Sequence, residues 1–399
     1  MFKLWNRLMC LAIVFAAARG FTADLANLPP NTWEPVKFKV EQLAGGSPDE
    51  KGDWANVGWN KLVYDSVGKR VLFYDRWSDK KHGGYTIYGN CLFSFDPVTS
   101  KVTPLKIDNW KKIDVPTGYH TVPLDEDVKE PTPFSRHVYQ VFEFVPDLNS
   151  VFIYSGANGS LVDPEVKQFK PEVLKDLSAA WRLDLEKKTW TPVAEPGIPM
   201  TLDSCMAYCA DTKSLILATW GNADLRGKIA ILDIASGKWH KAKQETATAG
   251  GGLTIVYDPP RKRMILGGGG PCNGDKKSPL WRNMYAFDPK TEIVTKLANC
   301  PSRLCSAPLA YDSKHDVFLM AFAAEGSDEP SGVFCYDPRK DTWSEVKTAN
   351  PVPAPDGAKW CGWLKMCYDP DHDCFVGMLN QNRFYLFRYV PETQVATKK

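Results

Sequence analysis

Apolar positions in this chain fall in short runs cut by turns rich in Asp, Pro, Ser and Lys. Within the runs, polar and apolar residues alternate and Val, Ile, Phe and Tyr are frequent, as in half-buried strands. The runs are spaced regularly. An apolar or aromatic residue, usually followed by Asp, precedes the start of the next run by seven positions: Tyr64 and Val71, Phe144 and Val151, Tyr208 and Leu215, Tyr257 and Met264, Tyr311 and Phe318, Tyr368 and Phe375. A second spacing interleaves with the first. Asp96, Asp184, Asp233, Asp288 and Asp337 each end a run, and six residues on stand Val102, Trp190, Trp239, Val294 and Trp343. Gaps this short predict hairpins. An Asp at the strand end accepts backbone N–H groups and a following Pro pre-sets φ, so these aspartates are read as turn formers rather than catalysts.

Where insertions are small the pattern repeats every 49 residues, as from Tyr208 to Tyr257 and from Asp184 to Asp233. Each unit resolves into four strands. In the first they are Trp59 to Tyr64, Val71 to Tyr74, Cys91 to Phe95 and Val102 to Leu105; in the fourth, Thr254 to Tyr257, Met264 to Leu266, Met284 to Phe287 and Val294 to Leu297. No unit of this size buries its own faces, so the repeat predicts a ring of small sheets, a β-propeller with six blades. The sixth unit stops after its third strand, Phe384 to Phe387. Its missing outer strand has a counterpart at the other end, where Trp33-Glu34-Pro35-Val36 mirrors Trp190-Thr191-Pro192-Val193. The expected fold is all-β, one six-bladed propeller over residues 31–391 closed by an N-terminal outer strand, followed by a polar tail, 392–399. An unclosed ring would expose two long sheet edges.

Several residues resemble the kelch repeat: Gly267-Gly268 after a second strand, Tyr285 to Asp288 in a third, and Trp190, Trp239 and Trp343 in outer strands. The double glycine is intact only in the fourth unit; it becomes Ser155-Gly156 or Trp220-Gly221 elsewhere and is lost in the first, fifth and sixth. The resemblance covers about residues 31–391 and implies a kelch-type propeller of the broad group holding adaptors, sugar oxidases (galactose oxidase central domain) and sialic acid mutarotases. Such a scaffold carries many functions, so activity has to be read from a site.

Composition narrows the setting. Lys3 and Arg7 precede the apolar stretch Leu8 to Ala18 and the small residues Ala16, Ala17, Ala18 and Gly20. That is the layout of a secretory leader over residues 1–20, cleaved at about 18–23, and too short for a membrane span. No later stretch is long and apolar enough for stable membrane insertion. The expected location is secreted or periplasmic. The net charge of +2 gives no long-range attraction to nucleic acid. Without Cys10, ten of the eleven cysteines remain in an oxidising setting. Cys300 with Cys305, and Cys367 with Cys374, are the bridge candidates. Cys91 and Cys335 read as small buried residues, and Cys205 and Cys209 are too far apart along one strand to pair. No Cys or His spacing suggests zinc.

Long connections follow each second strand and each outer strand, and strand direction puts both sets on one face of the disc. They carry arginines (Arg76, Arg136, Arg226, Arg282, Arg303, Arg383) and aromatics (Trp54, Trp77, Tyr85, Trp220, Trp281, Trp360). Guanidinium forks suit carboxylates and aromatic faces suit sugar rings, so the expected ligand is a glycan, especially an acidic one, or a protein. The competing expectation pairs those arginines with loop aspartates such as Asp79 and Asp224. Glu325, Asp53 and Asp224 are the carboxylates for acid–base work if the protein is an enzyme, such as a mutarotase or epimerase on an acidic sugar. His82, His120 and His137 lie on the same face without metal spacing, while His240, His315 and His372 are expected to be solvated. Oxidase copper needs two histidines and a cysteine-linked tyrosine, and no such grouping is visible, so neither metal nor cofactor is expected. The run Gly267 to Gly270 precedes no helix and is not a phosphate-binding loop. Binding module and carbohydrate enzyme both remain open.

Overall fold

In the computed structural model, the described residues are 24–40, 61–75, 91–107, 133, 138–154, 179–198, 204–219, 227–245, 253–268, 279–302, 304, 309–323, 331–354, 364–379 and 383–392. The expected leader, residues 1–20, lies outside them. Two strands open the fold, β1 (Trp33–Val36) and β2 (Lys39–Val40). Blade one follows as β3 (Leu62–Asp65), β4 (Arg70–Asp75), β5 (Cys91–Asp96) and β6 (Lys101–Ile107). Blade two is β7 (Phe142–Val145), β8 (Ser150–Tyr154), β9 (Ala180–Asp184) and β10 (Thr189–Val193); blade three is β11 (Cys205–Cys209), β12 (Ser214–Ala218), β13 (Ile229–Asp233) and β14 (Lys238–Lys241). Blade four is β15 (Thr254–Asp258), β16 (Arg263–Gly267), β17 (Met284–Asp288) and β18 (Ile293–Leu297). Blade five is β19 (Leu309–Asp312), β20 (Val317–Phe322), β21 (Gly332–Asp337) and β22 (Thr342–Val346). Blade six is β23 (Lys365–Asp369), β24 (Cys374–Leu379) and β25 (Arg383–Phe387), completed by β1.

Each blade is an antiparallel meander, and the first strand of each lies innermost. The first and third connections of every blade therefore share one face, and the second connection and the link to the next blade share the other. Local chemistry fixes the short turns. Asp65 Oδ1 accepts the N–H groups of Val67 at 3.0 Å and Gly68 at 2.7 Å, and Asp96, Asp184, Asp288, Asp312 and Asp369 cap their turns likewise. The fourth residue after each strand end is left-handed: Lys69, Ser100, Asn149, Lys188, Lys213, Gly237, Lys262, Glu292, Asp316, Asp341 and Asp373. Capping aspartate and left-handed residue together set the register of each hairpin.

Apolar side chains fill the seams between blades. Leu72, Tyr74 and Leu92 of blade one pack with Phe142, Phe144 and Val151 of blade two, and equivalent clusters fill the other seams. On the short-turn face, ion pairs link neighbouring blades: Asp147 with Lys213 at 3.1 Å, Asp211 with Lys262 at 2.6 Å, Arg261 with Asp316 at 2.6 Å, Lys314 with Asp373, and Asp371 with Lys69 at 3.0 Å. Among the described residues, the seam between blades one and two carries its ion pair elsewhere, on the propeller axis.

The ring closes through the N-terminal segment. β1 pairs antiparallel with β25, with Trp33 opposite Phe387 and Val36 opposite Phe384, as the sequence predicts. Trp33 is 1% exposed and packs on Phe387 with ring centres 4.6 Å apart. Two asparagines act as surrogate backbone. Asn350 accepts from Trp33 N–H and donates to Trp33 C=O, both at 2.8 Å, while Asn31 donates to Val390 C=O at 2.8 Å and accepts from Val390 N–H at 2.9 Å. The segment then crosses to the neighbouring blade. Phe38 meets Phe384 edge-on, Lys39 N–H donates to Ser100 C=O at 2.9 Å, and β2 adds a parallel fifth strand outside β6. One stretch of chain thus seals blade six and clasps blade one.

Candidate functional site

Six inner strands converge on the axis around a cavity of about 410 Å³. Every blade contributes to its lining. That volume is in the range of small-molecule sites.

The cavity has two unlike ends. Toward the short-turn face lie Tyr64, Tyr208, Tyr257, Tyr311 and Tyr368, the same tyrosines that mark the repeat. Most hydroxyls there are engaged by turn aspartates. Tyr64 donates to Asp371, Tyr311 to Asp316 at 3.0 Å, and Tyr368 to Asp373 at 3.0 Å. Burial first, and then the nearby aspartates, push the phenols of Tyr64 and Tyr311 far above the usual value. Burial, with Cys209 alongside, takes Tyr257 up to about 12. These phenols stay neutral at physiological pH.

Toward the long-connection face the lining turns polar. Lys61, just ahead of β3, reaches across the first seam to Glu143 of β7 and donates to Met206 C=O at 2.8 Å. Glu143 also accepts from Tyr208 N–H. Burial pushes the Glu143 carboxyl up, and the Lys61 ammonium only partly offsets that rise. Lys365, the first residue of β23, is 1% exposed and lines the same space, as do Gln140 and Thr254. Gln140 is buried, and its Nε2 has no hydrogen-bond acceptor. This end of the axis is therefore lined by charged and polar side chains, unlike the apolar seams between blades.

The sequence pointed elsewhere. Of the loop residues expected to bind ligand, Trp54, Arg76, Trp77, Tyr85, Arg136, Trp220, Arg226, Arg303 and Trp360 lie outside the described residues, as do Glu325, Asp53, Asp224, His82, His120 and His137. Three are described, and none lines the cavity. Trp281 is 6% exposed in the short turn Pro279–Arg282, where its C=O accepts from Leu304 N–H at 2.9 Å. It is a packing residue, not an open stacking surface. Arg282 is half-buried beside it, with its C=O accepting from Cys300 N–H at 2.8 Å. Arg383 begins β25 opposite Leu379, and its Nε is buried without an acceptor.

The described cysteines are buried. Cys300 Sγ contacts Met320 Sδ at 3.5 Å, and its expected partner Cys305 lies outside the described residues. Cys367 and Cys374 are unbridged thiols. Cys367 stands opposite Val376 and Cys374 opposite Asp369, so they are diagonal rather than facing. Cys91 and Cys335 are buried, as expected.

The expectation of solvated histidines needs correction. His315 and His372 each donate or accept at 2.7 Å through Nδ1 with a buried aspartate three residues earlier, Asp312 and Asp369, and the His315 side chain is only 10% exposed. The turn folds the imidazole back over the capping carboxylate, the role taken by Arg70 at Asp65. Among the described histidines only His240 is well exposed, paired with Glu292 at 3.2 Å. Asp312, His315 and Asp373 bring ligand-type atoms within 4.8 Å of one another. Those atoms are already committed: Asp312 to its turn and to His315, Asp373 to Tyr368 and Lys314.

No family model matches the chain, and no curated protein matches it. Among solved structures, YjhT is similar at 16% identity and a TM-score of 0.44, over 62% of this chain and 73% of that one. At that identity the likeness concerns the fold alone.

Proposed function

We propose that this chain is an exported, kelch-type propeller that works as a binding module, receiving a glycan or a protein segment from the face of the longer connections into the axial cavity. The observation that supports it is the cavity itself: about 410 Å³, bordered by all six blades and furnished with buried ionisable groups. Packing alone would fill such a space with apolar side chains. The arginines and aromatics of the long connections, Arg136 and Arg282 among them, would extend the contact surface outward.

The test is a glycan and peptide array probed with wild type, Arg136→Ala, Arg282→Ala and Ala310→Leu, the last narrowing the cavity. Wild type is expected to retain defined ligands, and Ala310→Leu to lose them while circular dichroism shows the β fold intact. Retention of every ligand by Ala310→Leu would move the site off the axis.

One observation favours a second reading, an enzyme acting on an acidic sugar. Glu143 carries a carboxyl pushed up by burial, beside an ammonium, on a cavity wall. A carboxyl raised in this way holds its proton more firmly than a free glutamate and can both accept and return one. In anomer exchange the Glu143 carboxylate would take the proton of the anomeric hydroxyl while the Lys61 ammonium gives one to the ring oxygen and the ring C–O bond breaks; reclosure on the other face returns one proton to Lys61 and one to the anomeric oxygen. Exchange followed by NMR across uronic and sialic acids tests this. A rate equal to background in every case, or unchanged by Glu143→Gln, refutes it.

A further inference from the structure

We infer that Gln140 sets the ligand specificity of the axial cavity: its side-chain amide donates to an uncharged carbonyl oxygen of the ligand. This deepens the reading of the cavity as a binding site and rests on it.

Gln140 precedes β7 and lines the cavity at its long-connection end. The residue is 6% exposed, and its amide nitrogen has no hydrogen-bond acceptor. Folding rarely leaves a buried donor unsatisfied, and one on a cavity wall finds its natural partner in whatever enters the cavity. The backbone around it is fixed from three blades. Gln140 C=O accepts from Met206 N–H of blade three at 3.0 Å, and Tyr139 C=O accepts from Lys61 N–H, just ahead of blade one, at 3.0 Å. Val141 N–H closes a tight turn onto Val138 C=O at 2.9 Å, with Tyr139 left-handed at φ 48°. That conformation is uncommon for a residue with a side chain, and the contacts on either side hold it. A donor held in place by its backbone loses little freedom when a ligand arrives.

The neighbours decide which acceptor fits. Lys61 is held by Glu143 and the Met206 carbonyl, and Lys365 has a partner of its own. The donor left over is a neutral amide. A carboxylate drawn to it would lose its hydration for one neutral hydrogen bond, too little to offset a buried charge. The nearby acceptors are engaged as well: Glu143 by Lys61 and Tyr208 N–H, Met206 C=O by Lys61, and Gln140 C=O by Met206 N–H. A hydroxyl would bring a hydrogen that these groups are not waiting for, whereas a carbonyl brings lone pairs alone. Ile255, Ala310 and Met366 line the space beyond, which suits a compact apolar body behind the carbonyl.

The test uses fluorine NMR of the full chain with four probes: 4-fluoroacetophenone, its isostere 4-fluoro-α-methylstyrene, the corresponding alcohol and 4-fluorobenzoate. Water expels the apolar alkene more readily, so a cavity without a usable donor would bind it at least as tightly as the ketone. The ketone is instead expected to bind about fivefold or more tightly than the alkene, with alcohol and benzoate both weaker than the ketone. Gln140→Leu should cut ketone affinity about tenfold and leave the alkene within about twofold, and its hold on the alkene shows that it is folded. In isotope-labelled wild type, the side-chain amide signal that Gln140→Leu lacks should shift with the ketone and stay still with the alkene. The wild-type ranking needs no variant. An alkene as tight as the ketone, equal loss of both in Gln140→Leu, an unmoved Gln140 amide, benzoate tighter than the ketone, or no ketone binding at about 10 mM overturns the inference. The two readings fail differently. If Ala310→Leu displaces ketone and alkene alike and Gln140→Leu affects neither, the cavity stands and the role of Gln140 falls. If probes bind and Ala310→Leu displaces none, the cavity reading itself falls.

Discussion

Replacing Trp33 by Ala tests ring closure at its most concentrated point. The indole is 1% exposed, lies on Phe387 and shares a buried cluster with Leu364. A tryptophan buries up to about 250 Å², which at about 25 cal/mol/Å² sets a ceiling of about 6 kcal/mol. Core truncations of this kind cost about 3–5 kcal/mol, because the cavity left behind collapses only in part. Asn350→Leu probes the same contact through its polar half. It leaves the N–H and C=O of Trp33 without their 2.8 Å partners, a cost of about 1–3 kcal/mol for each group left buried. Urea unfolding followed by tryptophan fluorescence and circular dichroism reads both. Trp343→Ala is the control, since that outer-strand tryptophan is only partly buried against Tyr336. The expected order of destabilisation is Trp33→Ala first, then Asn350→Leu, then Trp343→Ala. A loss below about 1 kcal/mol for Trp33→Ala would refute the view that the N-terminal strand seals the ring.

Other outcomes follow from single contacts. Gly267→Ala should destabilise by about 1–3 kcal/mol in the same assay, because the added Cβ would sit 2.5 Å from Met284 Sδ and 2.6 Å from Leu304 Cδ1. The Arg261 guanidinium holds the Asp316 carboxyl below the usual carboxylate range. The folded value is depressed, so the stability it brings is present above the ordinary aspartate value and is lost as pH falls through the lower, folded one. Arg261→Met should therefore flatten the acid limb of a stability–pH curve as pH falls through and below the ordinary aspartate range, while an unchanged limb would contradict the pairing. Burial pushes the Cys205 thiol up to about 12 and Cys335 up to about 11, with Cys367 and Cys374 raised as well. Iodoacetamide at pH 8 should leave these four unmodified in the native protein and label them in urea, as mass spectrometry of the peptides would show.

The hairpins were legible because their chemistry is local. An Asp that caps its own turn leaves a mark within a few residues, and Asp65, Asp96 and Asp312 bond as that mark implies. The closing strand was legible because Trp33 to Val36 copies Trp190 to Val193. The imidazoles were misread, although Asp-x-x-His at Asp312 and again at Asp369 repeats in adjacent blades and signals a residue folded onto its cap. The polar end of the cavity was missed altogether. Lys61, Gln140 and Lys365 are separated by long stretches of chain and meet only when the ring shuts. A signal was present: Glu143 sits between Phe142 and Phe144, and Lys365 opens a strand whose residues are all buried. A charge at such a position is costly unless it is paired or used.

Asn31 and Val390 grip each other, so the approach to the first strand is bound to the chain just past the last strand. During biosynthesis the head of the chain waits without its partner until β25 has been made. A premature stop ahead of Arg383 would leave five finished blades and a stranded tryptophan, a product fit for proteolysis rather than service. Conversely, head and tail lie close enough to be spliced by a short linker, and new ends cut at another junction between blades should still give a complete wheel.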